Sequence, residues 1–131
     1  MIFFRQKLHE VITLPPPPED DMKEALEVHN IVSVRTPEQV KSVMDHDQDP
    51  YFAIKKVIRK YKLEFHPNEL QQILKESVPI ITHFKNFFNR KRPHVVLPKI
   101  QTLPSKTNKT PAYPSGHACQ SVLIARYVAG K

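Results

Sequence analysis

A single cysteine, Cys119, leaves this 131-residue chain without an internal disulfide, so its fold does not depend on an oxidising compartment. A lone Cys among apolar neighbours reads as a small core residue, not as a nucleophile. Only two glycines stand against thirteen prolines. That balance excludes flexible glycine linkers and points to rigid connectors, because proline fixes φ and cannot donate to a ladder. No window approaches the roughly 18 apolar residues that a spanning helix needs. Met1 to Lys7 lacks an apolar h-region and a small-residue cleavage site, so no secretory signal is read there. A soluble protein is expected, cytoplasmic or particle-associated instead of secreted. The most one-sided absence is of acid. Residues 77–131 hold nine Lys/Arg and no Asp or Glu, a charge of +9, whereas residues 1–76 hold 11 Lys/Arg against 13 acids, a charge of −2. One-sided charge of this kind implies an anionic ligand or partner for the C-terminal part, and nucleic acid and phosphate esters both qualify.

What is present is the composition of one globular domain, with 40% hydrophobic and 25% charged residues. The chain opens on a strap, residues 1–19, that ends in four consecutive prolines, a short polyproline II stretch expected to lie over the surface. From residue 20 onward the pattern is helical. Asp20 offers an N-cap for a helix over 22–29, with Met22, Ala25 and Leu26 on one face. Thr36, Pro37 and Gln39 make a capping box with proline at the first helical position. Asp49-Pro50 repeats the cap-then-proline pattern, and Tyr51, Ile54, Val57, Ile58 and Tyr61 follow as an apolar stripe. The Lys55, Lys56, Arg59 and Lys60 run beside it reads as a solvated face. A helix begins near Pro67 and buries Leu70, Ile73 and Leu74, with Pro79 expected to kink or break it. A further helix is expected over 80–90 and a last one over 115–128, carrying Ala118, Val122, Leu123, Ala125 and Val128. No alternating pattern of strand length appears. The expected fold is all-α, a helical bundle with long proline-rich connectors.

Two constellations carry chemistry. In the first, Lys85 and Arg92 stand seven apart, and on a continuous helix they would differ by only about 20° in azimuth and lie about 10 Å apart. Both cations would then project from one face, Arg as a planar fork and Lys as a point charge, which suits a phosphoryl group. A solvated basic face is the competing reading of this pair alone. In the second, Pro114-Ser115-Gly116-His117 stands where a turn meets the final helix. Backbone N–H groups and the positive end of the helix dipole face outward at such a start. Gly116 lets the backbone approach a ligand and Ser115 adds a hydroxyl. His117 can supply a proton at physiological pH. The competing reading makes Ser115 a plain N-cap and His117 a surface residue.

Lys-x6-Arg-Pro followed after 20 residues by Pro-Ser-Gly-His resembles the first two signature motifs of the type-2 phosphatidic-acid-phosphatase superfamily. That superfamily includes soluble class A bacterial acid phosphatases, lipid phosphatases and vanadium haloperoxidases. The resemblance spans residues 85–117, and the proline-rich opening and soluble helical layout are loosely similar to the class A acid phosphatases. It implies a phosphoric-monoester hydrolase working through a phosphohistidine. Lys85, Arg92, Ser115 and Gly116 would hold phosphate oxygens, and His117 would protonate the leaving group. It implies no metal and no cofactor, though vanadate, a phosphate mimic, fits such a pocket and halide oxidation is the alternative chemistry. The expected partner is a phosphorylated small molecule. No membrane-spanning segment and no nucleic acid are expected, the latter because the cations surround one motif without an aromatic stacking platform. An oligomer or assembly partner is compatible with the charge.

The third motif of that family, Ser-Arg-x5-His-x3-Asp, supplies the nucleophilic His, and it has no counterpart here. Arg59 and His66 come nearest, but six residues separate them, Ile58 stands for the Ser and Leu70 for the Asp. The chain, residues 20–131 in particular, is therefore read as an incomplete phosphatase domain truncated at its C-terminus, inactive alone. A remnant kept for a structural or assembly role, with its basic anion-binding surface, is the second explanation, and a nucleophile from another chain is the third.

Overall fold

The structure, a computed structural model, describes residues 8–130. The first seven residues of the proline-rich strap, on which the reading of no secretory signal rests, lie outside the described residues, as does Lys131. Among the described residues the regular structure is all helical, as expected.

A 3-10 turn over Leu8–Glu10 precedes α1 (Asp21–Ser33), α2 (Pro37–Gln48), α3 (Phe52–Tyr61), α4 (Pro67–Phe88), a single turn α5 (Pro93–Val96) and α6 (Gly116–Ala129). The caps follow from side-chain chemistry. Asp20 accepts from Lys23 N at 2.9 Å. Thr36 and Gln39 exchange both bonds of a capping box, Gln39 N donating to Thr36 Oγ1 at 3.2 Å and Thr36 N to Gln39 Oε1 at 2.8 Å. Asp49 sits two places too early to cap α3, whose N-cap is Tyr51. Its Oδ1 accepts from Tyr51 N and its Oδ2 from Lys55 Nζ, which stabilises the turn before the helix.

α4 differs from expectation. It runs unbroken through Pro79. The ring removes one N–H and crowds the Lys75 carbonyl, but Lys75 and Pro79 both lie on the exposed side, where water can bond that carbonyl. Ile73 and Leu74 before the proline and Ile81 and Phe84 after it are buried. Packing on both sides therefore holds one helix where local propensity would break it. α4 then stops at Phe88, because Asn89 takes a left-handed conformation (φ 45°) and its N–H closes on Lys85 O at 2.8 Å. Asn tolerates that region better than most residues.

The core lies between α4 and α6. Leu70 and Ile124 are fully buried with Leu74, and Tyr51 and Ile54 of α3, Phe65 and Tyr127 close around them. Each fully buried Leu or Ile contributes about 1.5–3 kcal/mol. The buried face of α6 matches the expected one only in part: Val128 is buried as expected and Ile124 joins it, while Ala118, Val122 and Ala125 are exposed. In α1 only Ala25 is buried, with Met22 and Leu26 at the surface. α1 is held instead by Arg90, whose buried guanidinium reaches Asp21 (3.1 Å) and Glu24 (3.0 Å). The strap touches the body where Tyr113 Oη donates to Pro15 O at 2.6 Å.

Candidate functional site

Three elements meet at one cavity of about 780 Å³, and all five residues singled out in the sequence line it: Lys85 at the end of α4, Arg92 before α5, and Ser115, Gly116 and His117 at the start of α6. They come together for a different reason from the one the spacing suggested. The helix ends at Phe88, and Arg92 lies beyond it in extended backbone (φ −71°, ψ 152°), so no shared helical face exists. The connector over 105–114 gathers the cations. Lys85 Nζ donates to Pro111 O at 2.7 Å. Arg92 Nε donates to Thr110 O at 2.6 Å, and its Nη2 to Thr107 O at 2.8 Å and Thr110 Oγ1 at 3.0 Å. Ala112 N closes the ring on Arg90 O at 2.8 Å.

These contacts occupy some donors and spare others. A lysine ammonium has three hydrogens and a guanidinium five, so each cation keeps donors beyond its bonds to the connector. Their charges feel each other. Burial lowers Lys85 below the ordinary lysine value, and the nearby Arg92 charge lowers it further. Burial likewise lowers Arg92, partly offset by Asp47. Two cations desolvated side by side are costly unless an anion joins them.

The start of α6 lines the same cavity. Ser115 is its N-cap, its Oγ accepting from Ala118 N at 3.2 Å, which leaves the hydroxyl hydrogen to donate. A Cβ built on Gly116 would meet nothing within 4 Å. The glycine is thus required neither by backbone conformation nor by protein packing, and the space beside it is open. His117 is half-exposed, with Nε2 3.2 Å from Asp47 O and 3.9 Å from Asp47 Oδ1. Asp47 in turn accepts from Ser105 Oγ at 3.2 Å.

Asp47, Ser105, Thr107 and Thr110 were not singled out in the sequence. Asp47 left one signal: acids near the end of a helix oppose its dipole, and α2 ends with Asp45 and Asp47. An acid placed there against its own helix implies a tertiary partner, here His117 and Ser105. Nothing in the connector's spacing marks its polar residues. The rest of the cavity is mixed, with Ile31 and Val32 of α1, Val40 and Val43 of α2 and Val78 of α4 beside polar side chains that include Arg35, Gln39 and Gln101. No group of three or more metal-ligating side chains occurs among the described residues, and no described helix is long and apolar enough to cross a membrane.

Comparison of this chain with protein-family models, curated proteins and solved structures returns no match.

Proposed function

We propose that this chain forms the phosphate-binding and proton-donating part of a phosphoric-monoester hydrolase resembling the type-2 phosphatidic-acid-phosphatase superfamily. One observation carries the proposal: Lys85 and Arg92, whose desolvated charges repel, face the same cavity as a helix start bearing Ser115, Gly116 and His117. An oxyanion in that space would be met by an ammonium, a guanidinium, a hydroxyl and backbone N–H groups at the positive end of α6. In this reading the ester oxygen departs as an alcohol after taking a proton from His117. A histidine nucleophile of the third-motif kind completes the chemistry, and these 131 residues supply no such motif, so they bind phosphate without turning it over.

A second reading is favoured by the connector contacts. Lys85 and Arg92 both bond loop carbonyls, as cations do when their role is only to hold a loop.

Calorimetry with inorganic phosphate and orthovanadate separates the two. A phosphate site gives one-to-one binding that weakens at least about ten-fold in Arg92→Ala, while a mere clasp gives a less stable variant and no anion binding in either protein. With p-nitrophenyl phosphate, the longest natural product is expected to show hydrolysis that depends on both Arg92 and His117. Activity unchanged in Arg92→Ala and His117→Ala rejects the assignment.

A further inference from the structure

We propose that Asp47 is a positioning residue that holds the His117 ring by Nε2, so that Nδ1 is the nitrogen working at the bound phosphate. This rests on the phosphate-site reading and adds to it a residue and a proton path.

The Asp47 carbonyl belongs to the last turn of α2, one of the four carbonyls that a helix leaves without an internal partner. His117 Nε2 lies 3.2 Å from it. A carbonyl oxygen can only accept, so Nε2 must carry the hydrogen and donate. The contact therefore selects a tautomer as well as a ring orientation. The Asp47 carboxylate lies further off, 3.9 Å from the same nitrogen.

A general acid needs a hydrogen that is free to leave. With Nε2–H committed to Asp47, that hydrogen is the one on Nδ1 of the imidazolium. As the histidine nucleophile that completes the site gives its electron pair to phosphorus, the phosphorus–oxygen ester bond breaks and its electron pair goes to the departing oxygen. The Nδ1–H bond breaks in turn and an O–H bond forms on that oxygen. The product ring is the neutral Nε2–H tautomer, already held by the same carbonyl, so no second proton shift is needed.

Ser105 makes the arrangement stiff. Its Oγ donates to Asp47 Oδ1 at 3.2 Å, tying the end of α2 to the connector that Arg92 clasps through Thr107 and Thr110. The phosphate-holding cation and the proton donor are thereby referred to one polar frame. Asp47 also favours the charged form of Arg92.

The test uses the full chain with 15N-labelled histidine, the His117 resonances being assigned from their absence in His117→Gln. On titration with inorganic phosphate the His117 Nδ1 resonance is expected to move saturably and Nε2 by less than about a fifth as much. Asp47→Ala keeps the backbone carbonyl that holds Nε2 and loses only the carboxylate, so Nδ1 is expected still to lead there, whereas Asp47→Pro, which displaces the last turn of α2 and that carbonyl, is expected to make the two nitrogens respond comparably. Movement led by Nε2 in the unaltered protein or in Asp47→Ala overturns the proposal, as does an Asp47→Pro response identical to that of the unaltered protein. If phosphate does not bind at all, the phosphate-site reading fails separately. Exchange of the His117 Nε2 hydrogen without phosphate then decides: several-fold faster exchange in Asp47→Pro, with Asp47→Ala unchanged, supports the positioning role, and equal rates in all three proteins overturn it.

Discussion

Gly116 separates function from folding more cleanly than any other residue of the site. Its φ is not positive, and a Cβ there touches no protein atom. In a helix Ala is favoured over Gly by up to about 1 kcal/mol, so Gly116→Ala should unfold at an equal or slightly higher urea concentration. If the open space holds a phosphate, the same methyl group displaces it. The expected outcome is a protein at least as stable whose phosphate affinity falls by about ten-fold or more, read by urea unfolding and calorimetry on one preparation. Equal affinity would remove Gly116 from the site. Lys85 gives a complementary prediction through pH. Burial, then Arg92, sets its folded-state pKa below the ordinary 10.5. The charged form is thus a cost to folding at neutral pH, relieved as pH rises through the folded value toward 10.5. Phosphate attraction is lost over the same interval, because the ammonium that held the anion is neutralised. Binding should therefore weaken on the alkaline side before pH 10.5 is reached. Lys85→Arg, which keeps its charge there, should hold its affinity across that range.

The helices show how local signals and packing share the work. The capping box of Thr36 and Gln39 was legible because it is made by four consecutive residues, and so was the start of α4 at Pro67. Two features were not. Pro79 carries a strong local signal to break the helix, overruled by Leu74 and Ile81 packing on either side of it. The end of α4 depends on Asn89 adopting a left-handed conformation, which residue type permits but does not announce. That single residue decides whether Lys85 and Arg92 share a helical face, and so the expected reason for their meeting was wrong although their meeting was not. The face of α6 was misjudged in part, Val128 being buried as expected, because Ala118, Val122 and Ala125 also recur at helical spacing, and only the Leu70–Leu74 surface chooses Ile124 over them. The α4–α6 junction yields its own prediction. Tyr127 Oη donates to Glu69 Oε2 at 2.7 Å, and desolvation followed by that carboxylate pushes its pKa up to about 12. A raised folded-state value means stability present below the unfolded value of 10.0 and lost as pH climbs through 12. Tyr127→Phe should cost about 1 kcal/mol at neutral pH for the lost hydrogen bond. Between pH 10 and 12 its stability should change less than that of the unaltered protein, as measured by urea unfolding at each pH.

At the scale of the whole molecule, the +9 charge of residues 77–131 turns out to be distributed among different tasks. Arg90 is spent on Asp21 and Glu24 of α1, Lys85 and Arg92 face the cavity, and Lys91, Lys99, Lys106, Lys109 and Arg126 stand exposed. The charge count raised the expectation of an anion but could not say which cations are neutralised within the fold. Since the connector, α4 and α6 all close on the same cavity, an anion bound there is linked to the folding of the whole chain. A ligand that binds only the folded state at one hundred times its dissociation constant adds about 2.7 kcal/mol. For a domain of this size that corresponds to a rise in Tm of roughly 10 °C. Arg92→Ala is expected to start from a lower Tm, because its bonds to Thr107 and Thr110 are gone. The informative quantity is therefore the phosphate-induced increment and not the starting value. Thermal unfolding followed by circular dichroism, with and without phosphate and with sodium chloride at matched ionic strength, should show the increment in the unaltered protein and its loss in Arg92→Ala. An equal rise with sodium chloride would mean that phosphate acts only by screening the mutual repulsion of the cations, and the cavity would then hold no specific anion.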